Sequence, residues 1–341
     1  MAGLWIILLA VSVSPFTPAG AADEPNRHEF ESVHMGTKFR IVVYADKATA
    51  GKAAKAAFAR VAALENVMSD YKRDSELMKL CTQNDRQPGR PIKVSEDLFR
   101  VLSRAEKIST LSDGAFDVTV GPLSALWRIT RRTQELPDAK ELAEARELVG
   151  YRKVVLDPKA KSVAVKRKGM RLDLGGIAKG DAADQALIVL KSFGVDRALV
   201  AASGDIAVSD PPPGKGGWTV EIAPLGKEKP KYVLLANAAV STSGDLFQYV
   251  EIKGVRYSHV LDPKTGLGQT GWRSATVIAK RGIEADSLTK AALLLPPDRA
   301  VKLIDAIYGA ATFVAVKETE ESKVTTFASK RFHAYLTDPP K

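Results

Sequence analysis

Two stretches of this sequence combine residue types suited to phosphate chemistry. L-D-L-G-G-I-A-K-G (residues 172–180) sets two glycines between an apolar run and an amphipathic segment. Glycines there let the backbone approach a ligand closely. The helix start behind them offers unpaired N–H groups and the positive end of a dipole, a natural seat for a phosphate. The spacing matches neither the Rossmann nor the Walker pattern, so a tight strand-to-helix turn is the alternative. E-A-D-S-L-T-K-A-A-L-L-L (residues 284–295) begins a helix in which Asp286 and Thr289 share one side of the first turn. A carboxylate and a hydroxyl are hard oxygen donors, the kind that Mg²⁺ takes while it also binds substrate phosphates. The alternative is that Asp286 caps the helix.

Three further clusters could surround such a site. S-D-G-A-F-D-V-T-V-G-P-L (residues 112–123) places Asp113-Gly114 as a turn and Asp117 among apolar residues. Unpaired burial of Asp117 would be costly, so it must accept hydrogen bonds, either from a ligand or from backbone. S-T-S-G-D (residues 241–245) and S-H-V-L-D-P-K-T-G (residues 258–266) follow strand-like runs and read as polar loops. The chain has four histidines, and His259 stands inside the second of these loops. A general base could sit there, and so could a structural histidine beside an Asp-Pro turn.

The elements that must position these residues alternate between helix and strand. Residues 38–44 alternate as a strand, and Lys47–Met68 is Ala-rich with apolar residues at helical spacing. Glu96–Leu111 is a second amphipathic helix, with Ser95 as its N-cap. Residues 154–156 and Ser162–Val165 flank D-P-K-A-K as a hairpin. Residues 170–174 read as a short apolar strand, residues 177–193 as a helix closed by Gly194, and Ala198–Ala202 as a returning strand. Such a unit implies a sheet with helices packed on it. The Pro- and Gly-rich residues 211–231 read as a loop and as the best internal boundary, with strand-like segments on both sides. The whole reads as two interleaved lobes of one mixed α/β unit.

Composition narrows the function classes. The chain has 341 residues, a net charge of +10, 45% hydrophobic and 26% charged residues, and a mean hydropathy of −0.09. That is the profile of a soluble globular protein, and the length suffices for a sizeable core. The positive charges are interleaved with acids and only 7% of residues are aromatic, which argues against a nucleic-acid surface. A single cysteine rules out an internal disulfide. Residues 1–22 carry no charged side chain, and residues 4–13 form an apolar run too short to span a bilayer. They read as a secretory signal peptide cleaved near Ala21 or Ala22, an uncleaved anchor being the alternative. The expectation is one mature domain, residues 23–341, in a periplasmic compartment, with no cysteine placed to carry a lipid anchor.

The order of the motifs carries more than any of them alone. M-G-T (35–37), M-S-D-Y (68–71), G-A-F-D (114–117), D-L-G-G-I-A-K-G (173–180), S-G-D-I (203–206), H-V-L-D-P-K-T-G (259–266) and E-A-D-S-L-T-K (284–290) together resemble the FAD:protein FMN transferase family, also called the ApbE family. The resemblance spans roughly residues 30–335. It implies an α+β, ApbE-like two-lobed fold of mixed sheet and helix around a central flavin cleft. The implied reaction is Mg²⁺-dependent: FMN passes from FAD to a Thr or Ser hydroxyl of an acceptor protein, and AMP leaves. The implied acceptor is a membrane-associated redox subunit. By the same resemblance Met35, Tyr71, Ala115, Phe116, Asp117, Gly175, Asp181 and Leu261 contact FAD. Ala178, through its carbonyl, and Asp286 are the implied magnesium ligands, with Thr289 beside them, and His259 is the implied activator of the acceptor hydroxyl.

Two positions depart from the family pattern. Residue 181, often aromatic in the family, is Asp, and the threonine expected four residues after the metal-binding Asp is Lys290. An ammonium has donors and no lone pair, so Lys290 cannot ligate a metal. It can either reach the FAD phosphates or pair with Asp286. Water in place of the hydroxyl would make the site an FAD pyrophosphatase, and a site without catalysis would leave a periplasmic flavin-binding protein. A general solute-binding protein would carry no flavin at all.

Overall fold

The computed structural model describes residues 26–222, 225, 229–244, 249–319 and 322–340. The signal-peptide reading at residues 1–22 and Asp245 of the S-T-S-G-D run lie outside them. A hairpin of β1 (Asn26–His34) and β2 (Thr37–Ala45) turns at Met35 and Gly36, whose φ values are 49° and 70°. This is the two-residue turn whose twist matches the strands it joins. In β2, Phe39, Ile41 and Val43 point into one apolar layer and Val42 into another. The same division holds in β6 (Ala198–Ala202), where Ala198, Val200 and Ala202 face one layer and Leu199 and Ala201 the other. Period-two alternation with both faces apolar is the mark of a central strand.

These strands belong to an eight-stranded sheet in the order β1-β2-β6-β7-β10-β14-β15-β16, antiparallel throughout. Here β7 is Asp205–Val208, β10 Ala238–Gly244, β14 Trp272–Ala279, β15 Ala311–Lys317 and β16 Thr325–Ala328. One face carries the helical layer: α1 (Lys47–Met68), α2 (Glu76–Arg86), α3 (Glu96–Leu111), α6 (Ala178–Ser192), α7 (Gly282–Leu294) and α8 (Pro297–Asp305). The other face is covered by a small sheet of β8 (Trp218–Ile222), β9 (Lys231–Leu235) and β17 (Leu336–Thr337). The hairpin β4 (Val154–Asp157) and β5 (Ser162–Val165) pairs with β3 (Ile92–Lys93). The second lobe joins α4 (Gly121–Thr133) and α5 (Ala139–Glu147) to a sheet of β11 (Tyr249–Ile252), β12 (Val255–Leu261) and β13 (Gly268–Thr270), around Leu123, Trp127 and Tyr257. No helix among the described residues is long and apolar enough to cross a membrane.

Helix α7 sits at the centre of the helical layer. Ten of its residues are buried, Ile283, Asp286, Leu288, Thr289 and Leu293 among them, because α3, α6 and α8 enclose it from one side and β10 and β14 from the other. A helix buried all round must find internal partners for its polar residues. Its contact with α6 is glycine on glycine. A Cβ on Gly180 would lie 2.1 Å from the Gly282 carbonyl oxygen, and one on Gly282 would lie 2.4 Å from that of Gly180.

Three local expectations change. Residues 170–174, expected as a strand, join no sheet; Met170, Leu172 and Leu174 turn into the core while the Asp173 N–H donates to the Val118 carbonyl. Ser241 to Gly244 and Ser258 to Leu261 are strand rather than loop. Their hydroxyls are satisfied inside the sheets, as when Thr242 pairs with Thr276 at 2.9 Å. Within residues 211–231, expected as loop, β8 alternates buried and exposed residues from Trp218 to Ile222.

Candidate active site

The glycine turn forms the floor of a cleft of about 270 Å³ between the two lobes. Asp173 accepts the Gly175 N–H at 2.8 Å and the Ser124 hydroxyl at 2.6 Å, which ties the turn to α4. A Cβ on Gly176 would press on Phe116 at 3.3 Å and on the Lys290 stem at 3.4 Å, so glycine leaves room for both. Helix α6 starts at Ala178 with no side-chain cap of its own. One of its orphan N–H groups, that of Gly180, donates to Asp286 of α7 at 3.0 Å.

Under this floor lie four charges in two pairs. Lys179 pairs with Asp205, which also accepts the Ser241 hydroxyl at 2.6 Å, and Lys290 pairs with Asp286. Asp205 is 3% and Asp286 0% exposed. Burial works against the charge on Lys179, but Asp205 and Asp286 outweigh it and hold the ammonium above its ordinary range. Burial likewise opposes the Asp205 carboxylate, yet Lys179, Lys290 and Ser241 keep it below the usual carboxylate range. The Thr289 hydroxyl donates to the Ala285 carbonyl at 2.5 Å.

The opposite wall comes from the second lobe and its approaches. His259 and Leu261 of β12 and Trp127 of α4 line the cleft, together with Ala115, Phe116 and Asp117. At the rim Tyr71 is 76% exposed, with the Arg128 guanidinium 4.0 Å from its ring centre. Arg128 also pairs with Asp70, and Arg131 lies beside it on the same helix and in the same cleft. Asp117 has its oxygens committed: Oδ1 accepts the Thr119 N–H at 2.8 Å and hydroxyl at 2.7 Å, and Oδ2 accepts the Tyr151 N–H at 2.8 Å. Burial nonetheless pushes its carboxyl above the ordinary range. Of the two partners the sequence left open, the structure shows the backbone.

Seven of the residues singled out from the sequence therefore meet in one cleft: Tyr71, Ala115, Phe116, Asp117, Gly175, His259 and Leu261. Two do not. Met35 sits at the tip of the first hairpin, packed against the helical core. Asp181 faces α3, where Arg100 grips it with Nε at 3.1 Å and Nη2 at 2.8 Å. One residue beyond Gly180, the helical turn has carried its side chain away from α7 and into an ion-pair network with Arg60 and Asp97. Ala178, Asp286 and Thr289 lie behind the floor and do not line the cleft. Arg128, Arg131 and Trp127 lie in no motif that would mark them in the sequence, and Lys179 and Asp205 stand inside two separate motifs that give no sign of their pairing.

The donors around Asp286 do not fit a divalent cation. One Asp286 oxygen accepts the Gly180 N–H and the other already holds the Lys290 ammonium, so a dication on this carboxylate would meet a cation seated there. Among the described residues no cluster of three or more His, Cys, Asp or Glu side chains is placed to hold a metal.

The fold is a mixed sheet-and-helix arrangement of two lobes with a glycine turn at a helix start and a histidine in one cleft. A profile of the ApbE family matches residues 35–314, and the chain belongs to that family. It is 32% identical to an FAD:protein FMN transferase of Klebsiella pneumoniae over 97% of this chain and 95% of the relative. It is also 32% identical to one of Treponema pallidum, over 79% of each. Among solved structures, the flavin transferase ApbE of Vibrio cholerae superposes with a TM-score of 0.82 at 25% identity, covering 92% of this chain and all of that one. The ApbE protein of Thermotoga maritima gives 0.80 at 31% identity with the same coverage.

Proposed function

We propose that this protein is an FAD:protein FMN transferase acting on a Thr or Ser hydroxyl of an acceptor protein. The observation that carries the reading is that His259 and the glycine turn at the start of α6 line the same cleft. In this reading the FAD pyrophosphate lies over the glycine turn, where backbone N–H groups and the buried lysines offset its charge. The acceptor hydroxyl enters from the Tyr71 rim. Its oxygen attacks the FMN-side phosphorus, its proton passes to His259, and the phosphorus–oxygen bond to AMP breaks. FMN remains on the acceptor as a phosphoester. Catalysis of this kind is positioning and charge neutralisation above all, with a base adding roughly 10²–10⁴-fold. Tyr71 and Phe116 are aromatic faces at hand for the flavin ring.

Magnesium, expected at Ala178, Asp286 and Thr289, enters no step here, because the donor set as arranged does not fit it. Export to the periplasm rests on the apolar leader at residues 4–13, and a membrane-associated redox subunit as acceptor rests on the family resemblance. The test is mass spectrometry of periplasmic and membrane proteins incubated with FAD, with and without this protein. An FMN-sized adduct on Thr or Ser together with released AMP is the expected result. AMP without an adduct would make it a pyrophosphatase, and neither product would leave a flavin-binding protein.

A further inference from the structure

We propose that the Lys290 ammonium is the resident cation of this site, seated on Asp286 where the family resemblance puts a magnesium ion, so that the site takes no divalent metal. What the cation acts on, the FAD pyrophosphate, rests on the function proposed above; that it excludes a metal does not.

Three observations meet at this residue. Lys290 lies one helical turn beyond Asp286, and its ammonium bonds the only carboxylate oxygen that Gly180 leaves over. Its side chain is 12% exposed and also lines the cleft, so the head is buried on Asp286 while the stem passes the glycine turn at Gly176. The surrounding charges are matched one for one, Lys179 on Asp205 and Lys290 on Asp286. A dication added to that set would leave an excess of positive charge in a place shielded from water. Replacing Lys290 by a neutral residue would instead leave Asp286 without a cation. An ammonium carries three N–H donors. With one on Asp286, two remain for phosphate oxygens, which lysine serves elsewhere as a point charge.

The test begins with the metal alone. The purified chain, stripped with EDTA and dialysed, is titrated with MnCl₂ while free Mn²⁺ is followed by its paramagnetic resonance signal, beside Lys290→Thr. The wild type is expected to show no saturable site below about 1 mM, and the variant to gain one at least about tenfold tighter. A stoichiometric Mn²⁺ site in the wild type as tight as that of the variant overturns the proposal. Thermal melts show whether Lys290→Thr folds; if it does not, the wild-type titration decides by itself. In a second arm FAD binding is read from flavin fluorescence in EDTA and in MgCl₂. Wild-type affinity is expected to agree within about twofold between the two buffers, while that of Lys290→Thr falls about tenfold in EDTA and returns with MgCl₂. Wild-type binding that collapses in EDTA and returns with MgCl₂ overturns the proposal as well. Absence of FAD binding in both buffers, with no Mn²⁺ site, would strike down the FAD reading while the assignment of the cation stands.

Discussion

On one side of the cleft the starts of α6 and α7 lie so close that Gly180 and Gly282 touch backbone to backbone, and two buried carboxylates beside them are each paired with a lysine. On the other side Tyr71 is 76% exposed under the Arg128 guanidinium, and His259 stands on a strand of a small three-stranded sheet. The first wall is rigid because each part is pinned by backbone contact or by a buried ion pair. The second sets the exposed Tyr71 and the half-buried His259 beside the buried Trp127, Phe116 and Leu261. A site that transfers a charged group to a macromolecule needs this division. Fixed charges and dipoles hold the part that must not move, since preorganised electrostatics cost no rearrangement during reaction.

The sharpest way to break that contrast is to separate the two helices. Gly180→Ala forces a methyl to within 2.1 Å of the Gly282 carbonyl oxygen and 2.7 Å of the Asp286 Cβ. Overpacking at a backbone contact costs about 3 kcal/mol or more, so urea unfolding should show at least that loss, with the cleft floor lost too. A variant with unchanged stability would mean the helices are freer to part than their packing implies.

The opposite wall should respond in rate and not in stability. His259→Ala is expected to slow transfer to a protein hydroxyl by about 10²–10⁴-fold while FAD affinity stays within about twofold. Single-turnover transfer and flavin fluorescence check the two halves. Equal losses in both would make His259 a support for the ligand.

A smaller effect tests how α7 is anchored. Asp184 of α6 accepts the N–H groups of Gly282 at 2.6 Å and Ile283 at 3.0 Å, capping α7 from a neighbouring helix. Burial pushes its carboxyl up to about 7 against the pull of those donors. The native state therefore holds a proton that the unfolded chain has released, and stability falls as pH rises from about 4 to about 7, then levels off. Asp184→Asn should flatten that slope by about 1–2 kcal/mol between pH 5 and pH 7.5, read from urea unfolding at the two pH values. Identical slopes would place the titration elsewhere.

The smallest change is expected at the rim. Tyr71→Ala should alter stability by less than about 0.5 kcal/mol, as exposed positions do. If the ring stacks on flavin, FAD affinity should drop about two- to tenfold, which fluorescence titration resolves. An unaltered affinity would leave Tyr71 to the acceptor.

Much of this arrangement was legible along the chain where its causes are local. Helix α3 begins at Glu96 because Ser95 accepts the Leu98 N–H at 3.2 Å, and α1 runs from Lys47 to Met68 on the spacing of Ala50, Ala53, Ala57, Val61 and Leu64. Residues 170–174 were read as a short apolar strand and join no sheet, since a strand needs a ladder partner that a local apolar run does not reveal. Asp181 shows the same limit at a single side chain. The family resemblance set it against FAD, while its partner, Arg100, stands 81 residues away.

By itself the sequence determined the helix starts, the period-two strands, the glycine turn and the short motifs whose order marks the family, because each of these rests on residues within a few positions of one another. Only the tertiary structure decided which charges meet. Lys179 finds Asp205 because β7 passes beside the start of α6, and Ser241 joins them because β10 is the next strand in the sheet. Tyr71, Trp127, Gly175 and His259 face one cleft because two lobes close on each other. Lys290 and Asp286 are neighbours by helical spacing alone, yet their pairing could not be chosen from that spacing. It follows from α7 being buried on all sides, which turns the ammonium inward to the carboxylate oxygen that Gly180 leaves open.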